Sequence, residues 1–581
     1  MIAILAMITA AVLAIAKKRK KQAPAQASAS AVYARRWYTL VVLCLSLLVI
    51  VIDSTIVNVA LPTFTRQLHA STSGLQWIVD AYTLTFAALL LLAGAIADRY
   101  GRHRALAAGL AVFAIGSLAA AFTNTTAELI AARAIMGVGG AFIMPATLSI
   151  LTTVFTDPAE RTKATGLWAA VSGLGVAIGP VAGGWLLAHF SWDSIFLVNL
   201  PIVATALVAG YWLVPASRAP RSGRLDMTGA GLSVAAFSVL TYAIIEAPGY
   251  GWLSVTTLGL FAASVVLLAV FAVWEARSDH PVLPLHLFRN PRFTGAGVSI
   301  TVMFFALSGA VFLSTQIYQF VLGYSPLAAG VRALPSAAAL AVFSPLGAAL
   351  ARRTGARVPV GLGLTALTAG LALFATASAG SGYSHYILAM VIISSGIGLA
   401  MSAATSASMQ ELPPALAGVG SAVNDTTRNM GSVLGVAVFG SISASVFTSQ
   451  MAHVAHGSIG SVSVAAAVGQ HAGGTYGAAV LHAAASAFVT GADRAVLAGA
   501  IATLVGALIA FRMLRAPRRT PVQALGVPVA AIATLAPGAG TSIAATGTSI
   551  AATGTSIAAT GTSIAAIGTS AAATGTPRAC T

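Results

Sequence analysis

Four carboxylates stand inside otherwise apolar stretches of this chain: Asp53 in "LLVIVIDSTIVNVALP", Asp80 in "QWIVDAYTLTF", Glu246 in "LTYAIIEAPGY" and Asp425 in "SAVNDTTRNMG". Only 14 of the 581 residues are acidic, and most of the others fall in turns or at segment ends. A charge taken out of water is costly, so each of the four calls for a partner or a task. Arg133 lies in another apolar stretch, and helical rise puts it and Asp53 at similar depth, roughly 9–14 Å below one surface at about 1.5 Å per residue. They can pair. An aspartate beside a movable arginine binds and releases a proton, because the opposite charge favours the ionised form; the plainer reading is a permanent structural pair. Asp425 and Arg428, spaced i and i+3, either neutralise each other or bind substrate or proton. Asp80 and Glu246 lie near segment ends, where an interfacial position also explains them, and that reading is favoured for Glu246. Gln316 and Gln319 either line a cavity or bond neighbouring helices. Trp77, Tyr82, Trp168, Tyr318 and Tyr324 offer faces for a cation or belong to an interfacial aromatic belt.

The surroundings of these residues follow from composition. Hydrophobic residues make up 57% of the chain and charged residues 8%, with a net charge of +17; mean hydropathy is +0.89. Apolar runs long enough to span a bilayer recur along nearly the whole length. The expected spans are 38–60, 76–97, 104–122, 127–150, 163–187, 195–215, 226–246, 255–275, 293–320, 327–350, 357–379, 385–409, 416–446 and 494–514. Lys and Arg fall in alternate connections, from Lys17, Lys18, Lys20 and Lys21 through Arg99 and Arg102, Arg161 and Lys163, Arg218, Arg221 and Arg224, to Arg515, Arg518 and Arg519. The opposite connections hold Arg66 and Arg494. This asymmetry predicts that both ends of the fourteen-span core are cytoplasmic. The basic excess is therefore a topology signal and gives no footprint for nucleic acid.

The ends read differently from the core. Residues 1–36 hold 16 apolar residues followed by a basic run, too short for a full span and with the charge on the wrong side for a secretory signal. An interfacial helix or an overextended start both fit. Residues 447–493, rich in Ala, Gly, Ser and His, are expected to form one long external loop. From Gly540 a heptapeptide, "GTSIAAT", repeats with too little apolar surface to order a chain, so 516–581 is expected to be a disordered tail. No lysine follows a glycine, which excludes a P-loop, and no H-E-x-x-H or Cys/His cluster provides for a metal. No cofactor is expected. Cys44 and Cys580 make no disulfide framework.

Two further stretches carry spacing too particular for chance turns. "GAIADRYGRHR" combines Gly94, Asp98, Arg99, Gly101 and Arg102, and "GAALARRTGAR" at 347–357 is a worn copy with Ala351 in the aspartate's place. A turn repeated in two halves points to a duplicated transporter. "GLWAAVSGLGVAIGPVAGG", 166–184, sets Gly175, Gly179, Pro180, Gly183 and Gly184 inside a span. In lipid such residues serve close helix packing, and neighbouring helices satisfy the carbonyl freed by the proline.

The first of these stretches resembles the signature loop of the major facilitator superfamily, and the last resembles its antiporter motif. "LLVIVIDSTIVNVALP" (47–62), "LIAARAIMGVGGA" (129–141), "FLVNLP" (196–201), "IYQFVLGYSPLAAG" (317–330) and "GSAVNDTTRNMGSVLGVAVFG" (420–440) resemble its fourteen-span drug:proton antiporter branch, over residues 37–515. Asp193 stands where an arginine is expected in many relatives. The resemblance implies an all-α polytopic membrane protein: a six-helix bundle over 37–215, two linker helices over 216–292 and a second six-helix bundle over 293–515. It implies export of lipophilic, chiefly cationic, small molecules in exchange for protons across the cell membrane; the oligomeric state is left open, with a monomer expected. Asp53 would bind proton or substrate, Arg133 would tune it, Asp425 would supply a second acid and the fifth span would seal the path. The alternatives are a dedicated exporter of one metabolite, such as an antibiotic, and a non-transporting membrane sensor or scaffold.

Overall fold

The computed structural model describes residues 33–217, 226–278, 281, 283, 285–378, 380–412, 417–452, 465 and 474–514. The expected N-terminal segment, the Arg218–Arg224 turn and the repeat tail lie outside these residues. Fourteen helices are long and apolar enough to cross a membrane. The first six are α1 (Arg36–Gln67), α2 (Thr72–Tyr100), α3 (Arg102–Ala121), α4 (Thr126–Val154), α5 (Pro158–His189) and α6 (Ser194–Leu213). Two more, α7 (Met227–Tyr250) and α8 (Val255–Arg277), precede α9 (Pro291–Val321), α10 (Pro326–Thr354), α11 (Arg357–Phe374), α12 (Tyr383–Gln410), α13 (Ala417–Met451) and α14 (Gly474–Met513).

Local chemistry sets where these helices begin. Ser71 accepts from Gly74 N–H at 3.1 Å and Ser325 from Ala328 N–H at 3.2 Å, ahead of α2 and α10. Thr125 and Glu128 form a reciprocal capping box at α4. Asp157 caps α5 with Pro158 at its first position, where a missing N–H costs nothing. Pro62, Pro145, Pro180, Pro248 and Pro345 nevertheless lie inside helices, as bilayer-spanning helices packed by neighbours allow.

Helices α1–α6 form one bundle and α9–α14 the other, with α7 and α8 packed on each other and α7 lying against α2 and α13. The two bundles repeat the same close crossings. Gly109 of α3 and Gly139 of α4 approach backbone to backbone, as do Gly363 of α11 and Gly396 of α12. A Cβ at any of these four would strike the facing helix. This duplication explains why the basic turn of the α2–α3 connection has a partner at α10–α11.

One sequence expectation is corrected. Residues 474–493, taken for external loop, are the first half of the 40-residue helix α14. "GTYGAAVLHAAASAFVTGAD" is weak in hydropathy but rich in alanine, the best helix former, and its small residues seat against α13, with Gly491 against Ser443. The sixth, ninth and tenth spans are also less regular than their patterns suggest. α6 divides at Val198, α9 ends in a π-helical segment, Ile317–Val321, and α10 divides at Ala333.

The bundles meet toward the end of the molecule opposite the basic turns. There Gly184 of α5 lies against Pro326 and Leu327 of α10, and Gly330 of α10 against the Pro180 carbonyl. Among the described residues, every hydrogen bond between the bundles lies on this side: Gln319 Nε2 donates to Val59 O at 2.9 Å, and Gln76 Nε2 to Ala437 O at 2.8 Å and Ser441 Oγ at 3.2 Å. Overpacking a seam of this kind costs roughly 1–3 kcal/mol, enough to shift a closed-to-open ratio about tenfold. Gly184→Val should therefore open this end, seen as a longer distance between spin labels at Phe190→Cys and Ser378→Cys with Cys44→Ser and Cys580→Ser; an unchanged distance distribution would refute the seam.

Candidate functional site: a buried ion pair in the first bundle

The centre of the first bundle holds a polar network. Asp53 of α1 is fully buried and Arg133 of α4 is 1% exposed. Arg133 Nη1 donates to Asp53 Oδ2 at 2.5 Å and its Nε to Ile78 O at 3.1 Å. Asn199 of α6 donates from Nδ2 to Asp53 Oδ1 at 3.1 Å and to Ser117 Oγ of α3 at 3.1 Å. Ser117 in turn donates to Phe196 O at 2.8 Å. Both oxygens of Asp53 are thus occupied, and helices α1, α2, α3, α4 and α6 are tied to one carboxylate.

The glycines of the fourth-span motif explain how Arg133 reaches its place. Gly137 sits on the Tyr82 carbonyl and Gly140 on the Phe86 ring. With no side chain there, α4 lies flush on α2, and the guanidinium stacks 4.3 Å from the centre of the Tyr82 ring. The fifth-span motif bears on the same site from the other side. Gly175, Gly179 and Gly183 face Val51, Thr55 and Ile56 of α1, the residues on either side of Asp53. Helix α5 therefore touches both the helix that carries the acid and, through Pro180 and Gly184, the opposite bundle.

Other candidates resolve separately. Asp80 is fully buried within the protein, and neither carboxylate oxygen has a hydrogen-bond partner. Its helix face runs from Gln76, which bonds α13, to Leu84 and Ala87, which pack on Met430 and Val433 of α13. Asp80 therefore belongs to the seam between bundles. Asp425 and Arg428 pair with each other at 3.6 Å in the second bundle, with Arg428 also donating to Thr405 Oγ1 at 3.3 Å, and they do not join the Asp53 network. Gln316 bonds its own helix at Phe312 O, whereas Gln319 bridges the bundles. Glu246 of α7 accepts from Trp77 Nε1 at 3.1 Å, which fastens a linker helix to α2.

In the signature loop, Arg102 Nε meets Asp98 at 2.7 Å and Nη1 reaches Ser149 O and Thr153 Oγ1 of α4. Gly101 takes a positive φ of 115° at the turn. Arg99 lies over Tyr100, 5.7 Å from its ring centre. Of the aromatic residues named as cation faces, Tyr82 is taken by Arg133 and Tyr324 by Arg332, 4.1 Å from its ring centre. Asn199, Ser117 and Gln76 were missed by the sequence reading. Asn199 was legible, since it is the polar residue of the quoted "FLVNLP"; the other two carry no signal beyond being polar in an apolar run. No group of three His, Cys, Asp or Glu side chains among the described residues could hold a metal.

A shared pattern of motifs and a duplicated bundle call for comparison with known families, and the pattern of one matches residues 43–436. The chain belongs to the Major Facilitator Superfamily. It is a multi-pass membrane transporter and not an enzyme. It is 36% identical over 406 residues to the multidrug resistance protein Stp of Mycobacterium tuberculosis, covering 70% of this chain and 75% of that protein. The tetracenomycin C resistance and export protein of Streptomyces glaucescens is 32% identical over 526 residues, 86% of this chain and 97% of that protein. The multidrug efflux pump LfrA of Mycolicibacterium smegmatis is 35% identical, covering 72% and 82%. A bacterial homologue of the human lysosomal transporter Spinster, crystallised inward-facing and unoccupied, matches with a TM-score of 0.61 at 18% identity over 83% of this chain and 97% of that one, which shows the shared superfamily fold.

The pair makes a prediction about stability. Removing one partner of a buried ion pair costs roughly 3–5 kcal/mol, while removing both costs far less. Thermal unfolding of Asp53→Asn, Arg133→Gln and the double variant should show two strongly destabilised single variants and a double variant less destabilised than their sum. Additive losses would mean that the two residues do not act together.

Proposed function

We propose that this transporter exports lipophilic, chiefly cationic, drugs across the cell membrane in exchange for protons, with its basic face toward the cytoplasm. The observation that carries the reading is the Asp53–Arg133 pair: one carboxylate, sealed from water, whose two oxygens bond helices α4 and α6 and whose helix supports the antiporter stretch. A proton and a cationic substrate both need that carboxylate's negative charge, so binding of one opposes binding of the other, and this competition is the basis of exchange. When Asp53 is protonated, Arg133 keeps its bond to Ile78 O and its place on Tyr82, which gives the cation a second resting arrangement.

Asp80 fits the same cycle. An ionised carboxylate without a partner in a sealed seam costs several kcal/mol. The closed seam is therefore compatible with Asp80 carrying its proton, and opening it to water lifts that restriction. The likeness to the multidrug resistance protein Stp and the multidrug efflux pump LfrA supports multidrug substrates. Dedicated export of a single antibiotic is the second reading, favoured by the extent of the match to the tetracenomycin C protein, which covers more of both chains.

Proteoliposomes with an imposed pH gradient provide the test. Ethidium should move only while the gradient stands, and Asp53→Asn should reduce its movement to the collapsed-gradient level. Asp80→Asn should slow proton-driven exchange while leaving ethidium binding in detergent in place. Wild-type protein, folded in the vesicles, that moves no ethidium would count against multidrug export and direct the search to neutral and anionic compounds.

A further inference from the structure

Helix α10 changes partners along its length. Its outer turn, Pro326–Arg332, belongs by chain to the second bundle, yet it packs chiefly on α5 and also on α1, both of the first. Beyond Ala333 the remainder, Leu334–Thr354, packs chiefly on α12 with α11 beside it. Pro335 explains the division. It has no N–H for the carbonyl four residues before it, and Ala333 takes φ −80° and ψ −16° where the two segments join.

The two faces of the outer turn are held differently. Toward the first bundle, Gly330 lies on the Pro180 carbonyl, and Gly184 on Pro326 and Leu327. Among the described residues no hydrogen bond joins the turn to α5, so this contact is close packing alone and can part without leaving a polar group unmet.

Toward the second bundle the turn is fastened through one residue. The Arg332 guanidinium lies 4.1 Å from the centre of the Tyr324 ring and 5.7 Å from that of Tyr383. The Tyr383 hydroxyl donates to Arg332 O at 2.8 Å. Tyr383 opens α12, and Tyr324 follows Gly323, which turns the chain at a positive φ of 67°. The rings support one another, with Tyr383 5.9 Å from Tyr318 of α9 and 6.3 Å from Tyr324 between centroids. Arg332 makes no ion pair among the described residues, so its charge is met by ring faces.

We propose that the outer turn of α10 is a gate at the end opposite the basic turns, and that Arg332 is its positioning residue, latching the turn to the tyrosines of the second bundle so that it leaves α5 when the bundles part. The difference between the two faces sets the direction of travel. An apolar backbone contact separates, while a cation on two rings and a hydrogen bond hold. Without the latch the turn stays on the glycines of α5 and keeps this end closed after the rest of α10 has moved, with Ala333 as the hinge.

Spin labels at the exposed positions Val331→Cys, Phe190→Cys and Ser384→Cys, placed in pairs with Cys44→Ser and Cys580→Ser, follow the turn against each bundle. When Gly184→Val opens this end, the Val331–Phe190 distance should lengthen and the Val331–Ser384 distance should keep a single population. Adding Arg332→Ala should split the Val331–Ser384 distance into two populations, and Arg332→Lys, which keeps a cation over the rings, should restore one. In proteoliposomes Arg332→Ala should lower the maximal ethidium rate about tenfold at unchanged KM, a readout that rests on the drug–proton exchange proposed above. An unchanged Val331–Phe190 distance in Gly184→Val protein overturns the gate. A Val331–Ser384 distance that Arg332→Ala leaves single overturns the latch, and an unchanged ethidium rate overturns its part in release. Wild-type protein that moves no ethidium contradicts the transport reading instead, and the distances then decide gate and latch on their own.

Discussion

A charge in the bilayer interior has no water to turn to, and this protein's first bundle is arranged around that constraint. Asp53 and Arg133 can stay in place only because each completes the other and because Ile78, Asn199 and the Tyr82 ring take up what remains. The consequence is mechanical as well as electrostatic. Helices α4 and α6 bond this carboxylate directly, and α2 and α3 join the network through Ile78 O and Ser117 Oγ. Helix α5 lies between the two bundles, its glycines resting on α1 and its outer turn on α10.

The seam shows how the remaining parts use the same currency. Close glycine contacts bring the bundles together without any hydrophobic drive between helices in lipid. Gln76 and Gln319 add hydrogen bonds to backbone carbonyls and to Ser441 Oγ across the seam. Of the linker helices, α7 lies along this seam: it is fastened to α2 through Trp77 and Glu246 and packs on α13 through Ile244, Ile245 and Ala437, while α8 packs against α7.

Much of this was legible in the sequence, for reasons that can be named. The number of spans followed from apolar runs, and the Asp53–Arg133 pairing followed from two charges at matching depth. The packing role of Gly175, Gly179 and Gly183 followed from the absence of any hydrophobic force between helices in lipid. What was not legible depended on tertiary position. Asp80 lies close to its helix end, which in a lone helix means water, yet in the folded protein it is fully buried. Residues 474–493 read as loop because alanine and glycine score low in hydropathy, although packing against α13 makes them helix. Gln319 gave no hint of which of its two roles it plays, because its partner, Val59 O, is a backbone atom 260 positions away.

The central claim is that Asp53 gives up a proton when a cationic substrate binds. Detergent-solubilised protein in weakly buffered solution, mixed with ethidium while a pH dye records protons released, tests it most directly. The account predicts proton release that saturates with ethidium in the wild-type protein and is lost in Asp53→Asn. Equal release from wild type and variant, with ethidium bound by both, would contradict it and move the exchange site elsewhere in the molecule.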